Sequence, residues 1–230
     1  MSIGRQKVQE LYTAQYEIVY SCFIIQTVMK RKTAARRIGR PRSFDANQAL
    51  DRALEVFRRK GYEGASLNDL THAMGIERPS LYAAFGDKEN LFRQALDRYS
   101  EQALGYINEA LSEKRARTAI ERLLRGTAAL QTDPRGPKGC LTVQGALACK
   151  KESAPIREEL ICRREQGEAV IRQRLQRAKR ERDLPADSNP ADLARYFATV
   201  LQGMSVQAAS GVNRRELERV VDAALKAWPE

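Results

Sequence analysis

The chain has 230 residues, 30% of them charged and 7% aromatic, with 14 Gly and 8 Pro; this allows one or two domains with an apolar core and favours long helices over a turn-rich all-β chain. Forty Lys and Arg against 29 Asp and Glu leave a net charge of +11, which points to nucleic acid, an anionic surface or an acidic partner, with solubility alone as the plainer reading. A single histidine excludes most zinc hydrolases, Ser-His-Asp triads and Cys-His dyads, and four cysteines without a C-x-x-C argue for a reducing compartment.

Residues 1–28 differ in pattern from the rest of the chain. Their apolar run Ile18–Met29, IVYSCFIIQTVM, includes Cys22 and is followed by Lys30-Arg31-Lys32 rather than by a small-residue cleavage site, so export is not expected. No run of 18 apolar residues is present, so no transmembrane helix is expected. Two readings stand for this segment: an in-frame extension ahead of a start at Met29, or a genuine helix over Gln6–Val28. Residues 30–42 carry seven positive and no negative residues: Lys30, Arg31, Lys32, Arg36, Arg37, Arg40 and Arg42. Residues 45–100 balance eight basic with nine acidic residues, so the positive charge of this half lies in the arm. Such an arm suits a polyanion. Its Gly39-Arg40-Pro41-Arg42 can lie in a narrow A·T-rich minor groove or simply neutralise phosphates.

From Asp45 onward the pattern is helical. Leu50, Ala53, Leu54 and Phe57 form one apolar stripe, with Asp45 as N-cap and Gly61 as stop. Ser66 caps a short helix whose Leu67, Leu70 and Met74 face inward, and Gly75 ends it at positive φ. A third helix has Pro79 in its first turn and Leu81 and Phe85 as anchors. Asp87 caps a long helix through Leu91, Phe92, Ala95, Leu96 and Tyr99. Further helices are expected at about 116–131, 140–150, 153–182, 190–210 and 213–228, with the clearest loop at Thr132–Gly139. No strand-like alternation and no repeat is present.

Two short helices joined at a glycine under a longer one make a helix-turn-helix. The outer face of the second offers Arg78, Ser80 and Tyr82, with Ala83 and Ala84 beside them. Small residues allow close approach to a groove, and Arg78 can bond guanine bidentately.

The stretch ALEVFRRKGYEGASLNDLTHAMGIERPSLYAAFGDKENLF, Ala53–Phe92, closely resembles the DNA-binding domain of TetR-family (AcrR-like) transcriptional regulators. The matching features are F-x-x-x-G-Y, S-L-x-D-L, M-G-I before P-S-L-Y, and F-G-D-K-E-x-L-F. GCLTVQGALA and LARYFATVLQGMSVQAASG carry a weaker likeness to one branch. The expected chain is all-α: an extension and basic arm over 1–42, a three-helix helix-turn-helix domain over 43–92 that carries the resemblance, and a helical ligand-binding and dimerisation bundle over 93–230. The resemblance implies a homodimer whose recognition helices enter successive major grooves of a palindromic double-stranded operator, about 34–36 Å apart. Carried over residue by residue, Ser66 and Thr71 approach phosphate, Arg78, Pro79, Ser80 and Tyr82 face the groove, and Lys88 meets a phosphate. For Ser66 the plainer reading is a helix cap, for Tyr82 a core cover, and for His72 a surface residue. Alanines at 83 and 84 depart from the larger residues common there, which shifts base reading towards Arg78, Ser80 and Tyr82.

The bundle is expected to hold an unidentified small-molecule effector, with Leu123, Leu130, Leu141, Val143, Leu147, Leu160 and Ile161 as candidate lining or as ordinary core. The dimer interface is expected over 190–228, from Tyr196, Phe197, Val200, Leu201, Met204, Leu217, Val220, Val221, Ala224, Leu225 and Trp228. Cys140, Cys149 and Cys162 are weak candidates for Cu(I) or a redox disulfide, with inert burial as the plainer reading. The overall expectation is a cytoplasmic, nucleoid-associated repressor without cofactor or enzymatic activity. An architectural DNA binder and a cysteine-sensing variant of the same regulator are the alternatives.

Overall fold

The structure is a computed structural model that describes residues 44–230, the Leu104 side chain apart. The basic arm with Arg36, Arg37, Arg40 and Arg42, the segment Gln6–Val28 with Cys22, and the Met29 start lie outside the described residues. Among the described residues the chain is helical without strands. The α-helices run α1 Ala46–Gly64, α2 Leu67–Met74, α3 Arg78–Phe85, α4 Lys88–Leu111 and α5 Ala116–Gln131. They continue with α6 Leu141–Ala148, α7 Ala154–Arg180, α8 Pro190–Ala209 and α9 Arg214–Ala224. Short 3-10 turns at Lys151–Ser153 and Leu225–Ala227 precede α7 and follow α9.

Local chemistry accounts for the boundaries. The Asp45 carboxylate accepts from the backbone N–H of Asn47 at 2.8 Å and closes the start of α1. Gly61, at φ 68°, breaks the regular helix within α1, and one more turn follows before Ala65. Ser66 and Asp69 form a capping box at α2: Ser66 Oγ accepts from Asp69 N–H, and the Asp69 carboxylate accepts from Ser66 N–H. Gly75 ends α2 in the left-handed region at φ 69°. Asp87 caps α4 by accepting from Asn90 N–H at 2.7 Å.

Two apolar cores hold the helices. The first packs Leu54, Phe57, Leu70, Leu81, Leu91, Phe92 and Leu96 from α1–α4, and Phe57 meets Phe92 edge-on at 4.8 Å between ring centroids. Its members also include Leu141 and Ala146 of α6 and Ile156 and Leu160 of α7. The second packs Leu111, Ile120, Leu124, Ile171, Leu175, Phe197, Met204, Leu217 and Val221 from α4, α5 and α7–α9. Packing therefore does not part at residue 92. Helix α4 runs unbroken through both cores, and α6 with the first turns of α7 closes the base of the N-terminal core. Between the cores, Arg163 of α7, with a side chain 7% exposed, pairs with Asp97 of α4 at 2.7 Å.

Candidate nucleic-acid interface

Helices α2 and α3 meet across Gly75-Ile76-Glu77, and their inward residues Leu70, Met74, Leu81 and Phe85 are buried. Burial of each large apolar side chain is worth about 1.5–3 kcal/mol, so this short unit is rigid without further staples. That anchoring leaves the opposite face of α3 outward. Arg78, Pro79 and Ala83 are exposed, Tyr82 is 49% exposed, and Ser80 and Ala84 are half-buried. Tyr82 does not serve as a cover for the core. The N-cap of α3, Glu77, makes no side-chain capping bond, and Pro79 lies in the first turn.

The remaining expected contacts are held by local bonds. Ser66 is exposed at the start of α2, but its hydroxyl donates to the Asp69 carboxylate at 2.7 Å as part of the cap. Lys60 joins the same carboxylate at 2.6 Å. These donors hold the Asp69 carboxyl far below the ordinary carboxylate range, the Lys60 bond first and the Ser66 bonds next. Thr71 is half-buried and donates to the Leu67 carbonyl at 2.9 Å, so its hydroxyl hydrogen is committed within α2. Lys88 opens α4 half-buried, with its ammonium 4.5 Å from the centroid of the Tyr62 ring. Burial lowers its pKa and the Glu63 charge works against that. His72 is exposed.

Two residues escape the sequence reading here. Asn68, on the outer face of α2, accepts from Arg78 Nη2 at 2.7 Å. Tyr62 is the platform under Lys88. Asn68 is uncharged and falls at the open position of S-L-x-D-L, and the tyrosine of F-x-x-x-G-Y does not by itself name Lys88 as its partner.

The N-terminal core is tied to the segment that precedes α7. Arg58 of α1 donates to the Pro137 carbonyl at 3.1 Å, and its guanidinium lies 5.8 Å from the Tyr99 ring centroid. The Tyr99 hydroxyl lies 3.6 Å from Cys140 Sγ, which in turn lies 3.1 Å from Thr142 Oγ1. Burial, then the neighbouring Cys140, pushes the Tyr99 phenol well above its ordinary pKa. Near the end of α1, Glu63 accepts from Lys150 N–H at 3.2 Å. Bonds from the Ser153 side chain and from Lys150 N–H hold the Glu63 carboxyl below its ordinary pKa.

The expected effector lining and dimer interface are placed less simply. Leu123 and Val143 are buried, while Leu141, Leu160 and Ile161 belong to the N-terminal core. Leu147 is 72% exposed and Leu130 is exposed as well, so neither lines an interior cavity of the protomer. Of the expected interface, Phe197, Met204, Leu217, Val221, Ala224 and Leu225 are buried within the protomer. Their surface is already taken by the subunit's own core and offers nothing to a partner. Tyr196 and Val220 are exposed, and Val200, Leu201 and Trp228 are half-buried. Val206 of α8, which the sequence reading passes over, is exposed beside them.

Helix α6 separates Cys140 from Cys149. Cys140 and Cys149 are half-buried at opposite ends of α6, and Cys162 is exposed on α7. Helical rise puts the first two about 13 Å apart, beyond the reach of a disulfide or a shared metal. Among the described residues, no three His, Cys, Asp or Glu side chains gather as a metal site.

The profile of bacterial regulatory proteins of the tetR family matches residues 49–95, and that of the tetracyclin repressor-like C-terminal domain matches residues 116–224. The HTH-type transcriptional repressor ComR of Escherichia coli is 32% identical over 194 residues, 84% of this chain and 92% of ComR. This chain belongs to the TetR family of transcriptional regulators. A solved cysteine mutant of the TetR-family regulator CifR, complexed with 26-base-pair operator DNA, is 47% identical and aligns with TM-score 0.80 over 83% of this chain and all of that one. A TetR regulator from Rhodococcus is 40% identical with TM-score 0.55, over 81% of this chain and all of that one. The all-α architecture and the helix-turn-helix are those of the family, and membership makes the chain a DNA-binding regulator rather than an enzyme. Among the described residues no helix is long and apolar enough to cross a membrane.

Proposed function

We propose that this regulator is a ligand-released repressor that binds a palindromic operator as a homodimer. The observation that carries the reading is the outward face of α3. It presents Arg78, Pro79, Tyr82 and Ala83 beside an uncapped helix N-terminus, on a unit fixed by buried anchors. Arg78 and Tyr82 read base edges, Ala83 and Ala84 admit close approach to thymine methyls, and Ser66 and Lys88 border the phosphates. The basic arm, with Arg36, Arg37, Arg40 and Arg42, adds phosphate or minor-groove contacts. The operator-bound CifR relative and the repressor ComR support operator binding and the sign of regulation.

The dimer face is the exposed side of α8 and α9: Tyr196, Val200, Val206 and Val220, with Gly203 between them. A Cβ at Gly203 would meet nothing within 4 Å, which leaves room for a helix of the second copy. The effector acts by shifting the equilibrium between two spacings of the reading heads. Sedimentation of the wild type and a Val220→Glu variant, each with operator titration, tests the assembly. The wild type is expected to sediment as a dimer. The variant is expected to dissociate and to lose operator affinity with unchanged helicity. A V220E dimer with full affinity would refute the placement.

Cys140 favours a second reading of the signal. Its thiol touches Tyr99, whose ring lies beneath Arg58 of the DNA-binding core. Modification of this thiol would disturb a contact between the loop before α6 and α1. The expected result is that Cys140→Ser abolishes oxidant-induced release from operator while Cys149→Ser and Cys162→Ser do not. Equal release from all three variants would remove the cysteines from the mechanism.

A further inference from the structure

We infer that Asn68 is a positioning residue for base recognition, acting by aiming the Arg78 guanidinium. The inference rests on the reading of Arg78 as a base contact and deepens it. Asn68 stands ten positions before Arg78, and the Gly75 turn brings the outer face of α2 against the first residue of α3. Asn68 Oδ1 accepts from Arg78 Nη2 at 2.7 Å, between two otherwise exposed side chains. Neighbouring polar groups are already committed elsewhere. Asp69 is held by Ser66 and Lys60, and Thr71 is bonded to the backbone of its own helix.

An unrestrained arginine at the start of a helix samples many rotamers, and base recognition must freeze it. The amide oxygen fixes one edge of the guanidinium before DNA arrives. One of five N–H donors is used, so a complete two-donor edge remains for the O6 and N7 of guanine. A neutral acceptor suits this task beside DNA. A carboxylate would bind the guanidinium more strongly but would face the phosphates with the wrong charge. With only methyl groups at positions 83 and 84, discrimination leans on Arg78, and so does its dependence on the buttress.

The test compares sequence preference rather than affinity alone. Wild type, Asn68→Ala, Arg78→Ala and the double variant are each used to select bound duplexes from a random pool at one salt concentration. Arg78→Ala is expected to lose a guanine preference at one position of each half-site. Asn68→Ala is expected to weaken preference at that same position by about 3–10-fold, leave the others unchanged, and add nothing in the Arg78→Ala background. Asn68→Asp is expected to restore the preference while lowering overall affinity through charge. An Asn68→Ala protein with wild-type preference, alongside an altered Arg78→Ala, would overturn the positioning role alone. An Asn68→Ala effect that persists without Arg78 would overturn it in favour of direct base contact by Asn68. An unchanged Arg78→Ala profile would overturn the reading of Arg78 itself.

Discussion

Removal of the Asp97 carboxylate is expected to destabilise the fold more than removal of its cationic partner. Arg163 pairs with Asp97 at 2.7 Å and with Glu159 at 2.8 Å, and its own side chain is 7% exposed. Asp97 and Glu159 reach water, at 28% and 31% exposure. Breaking a fully buried pair by deleting one partner costs about 3–5 kcal/mol, because a charge is left buried and unpaired. Exposed pairs are worth at most about 1 kcal/mol. Asp97→Ala strips one of two carboxylates from a buried cation that still keeps Glu159, so the structure places its cost between these limits, at about 2 kcal/mol. Arg163→Met removes the buried charge itself and leaves two carboxylates that water can solvate. Its expected cost is under about 1 kcal/mol despite the loss of these ion pairs. Urea unfolding followed by circular dichroism, at one protein concentration so that assembly is held constant, measures both. An Arg163→Met variant as unstable as Asp97→Ala, or an Asp97→Ala variant within about 0.5 kcal/mol of wild type, would show that no buried charge is left unpaired.

Phe57→Ala is expected to cost about 3–5 kcal/mol, since Phe57 is wholly buried edge-on against Phe92; a loss below about 1 kcal/mol in the same unfolding assay would show that this core is loosely packed. The Asp69 carboxyl has its folded pKa depressed below its unfolded value of 3.8, so its contribution is present above about pH 4 and fades as pH falls through the folded pKa. Asp69→Asn is accordingly expected to lower the urea midpoint at pH 7, by an amount that shrinks as pH falls below about 4; a gap that widens in acid would contradict the sign. Deletion of residues 29–42 is expected to weaken operator binding and to flatten its salt dependence by about 0.9 in log–log slope for each phosphate that the arm no longer neutralises. Fluorescence anisotropy across a salt series reads that slope, and an unchanged value would remove the arm from DNA binding.

The helix-turn-helix is legible in the sequence because its signals are local. Asp45, Ser66 and Asp87 cap the helices they precede, Gly75 adopts the positive φ that its place implies, and Leu70, Met74, Leu81 and Phe85 are the buried anchors. The outward placing of Arg78 and Tyr82 follows from the same periodicity. What escapes depends on pairs distant in sequence. Asn68 joins Arg78 only after a turn folds. Arg58 meets the Pro137 carbonyl 79 positions away, and a carbonyl has no sequence signature. Helix α6 reads as part of the bundle because Leu141 and its neighbours are apolar, yet apolarity does not say which core a helix completes. The apolar residues of α8 and α9 read together as interface for the same reason. Composition alone does not separate Phe197, which is buried in the subunit's own core, from Tyr196, which is exposed.

Dimeric, sequence-specific operator binding is measured by selection of bound duplexes from a random pool with the purified full chain. A palindromic motif is expected, with half-site centres spaced by about one helical turn, or a multiple of it, as two copies of α3 require. The absence of an enriched motif, or enrichment of a single unpaired half-site, would contradict a dimeric, sequence-reading regulator and favour architectural binding.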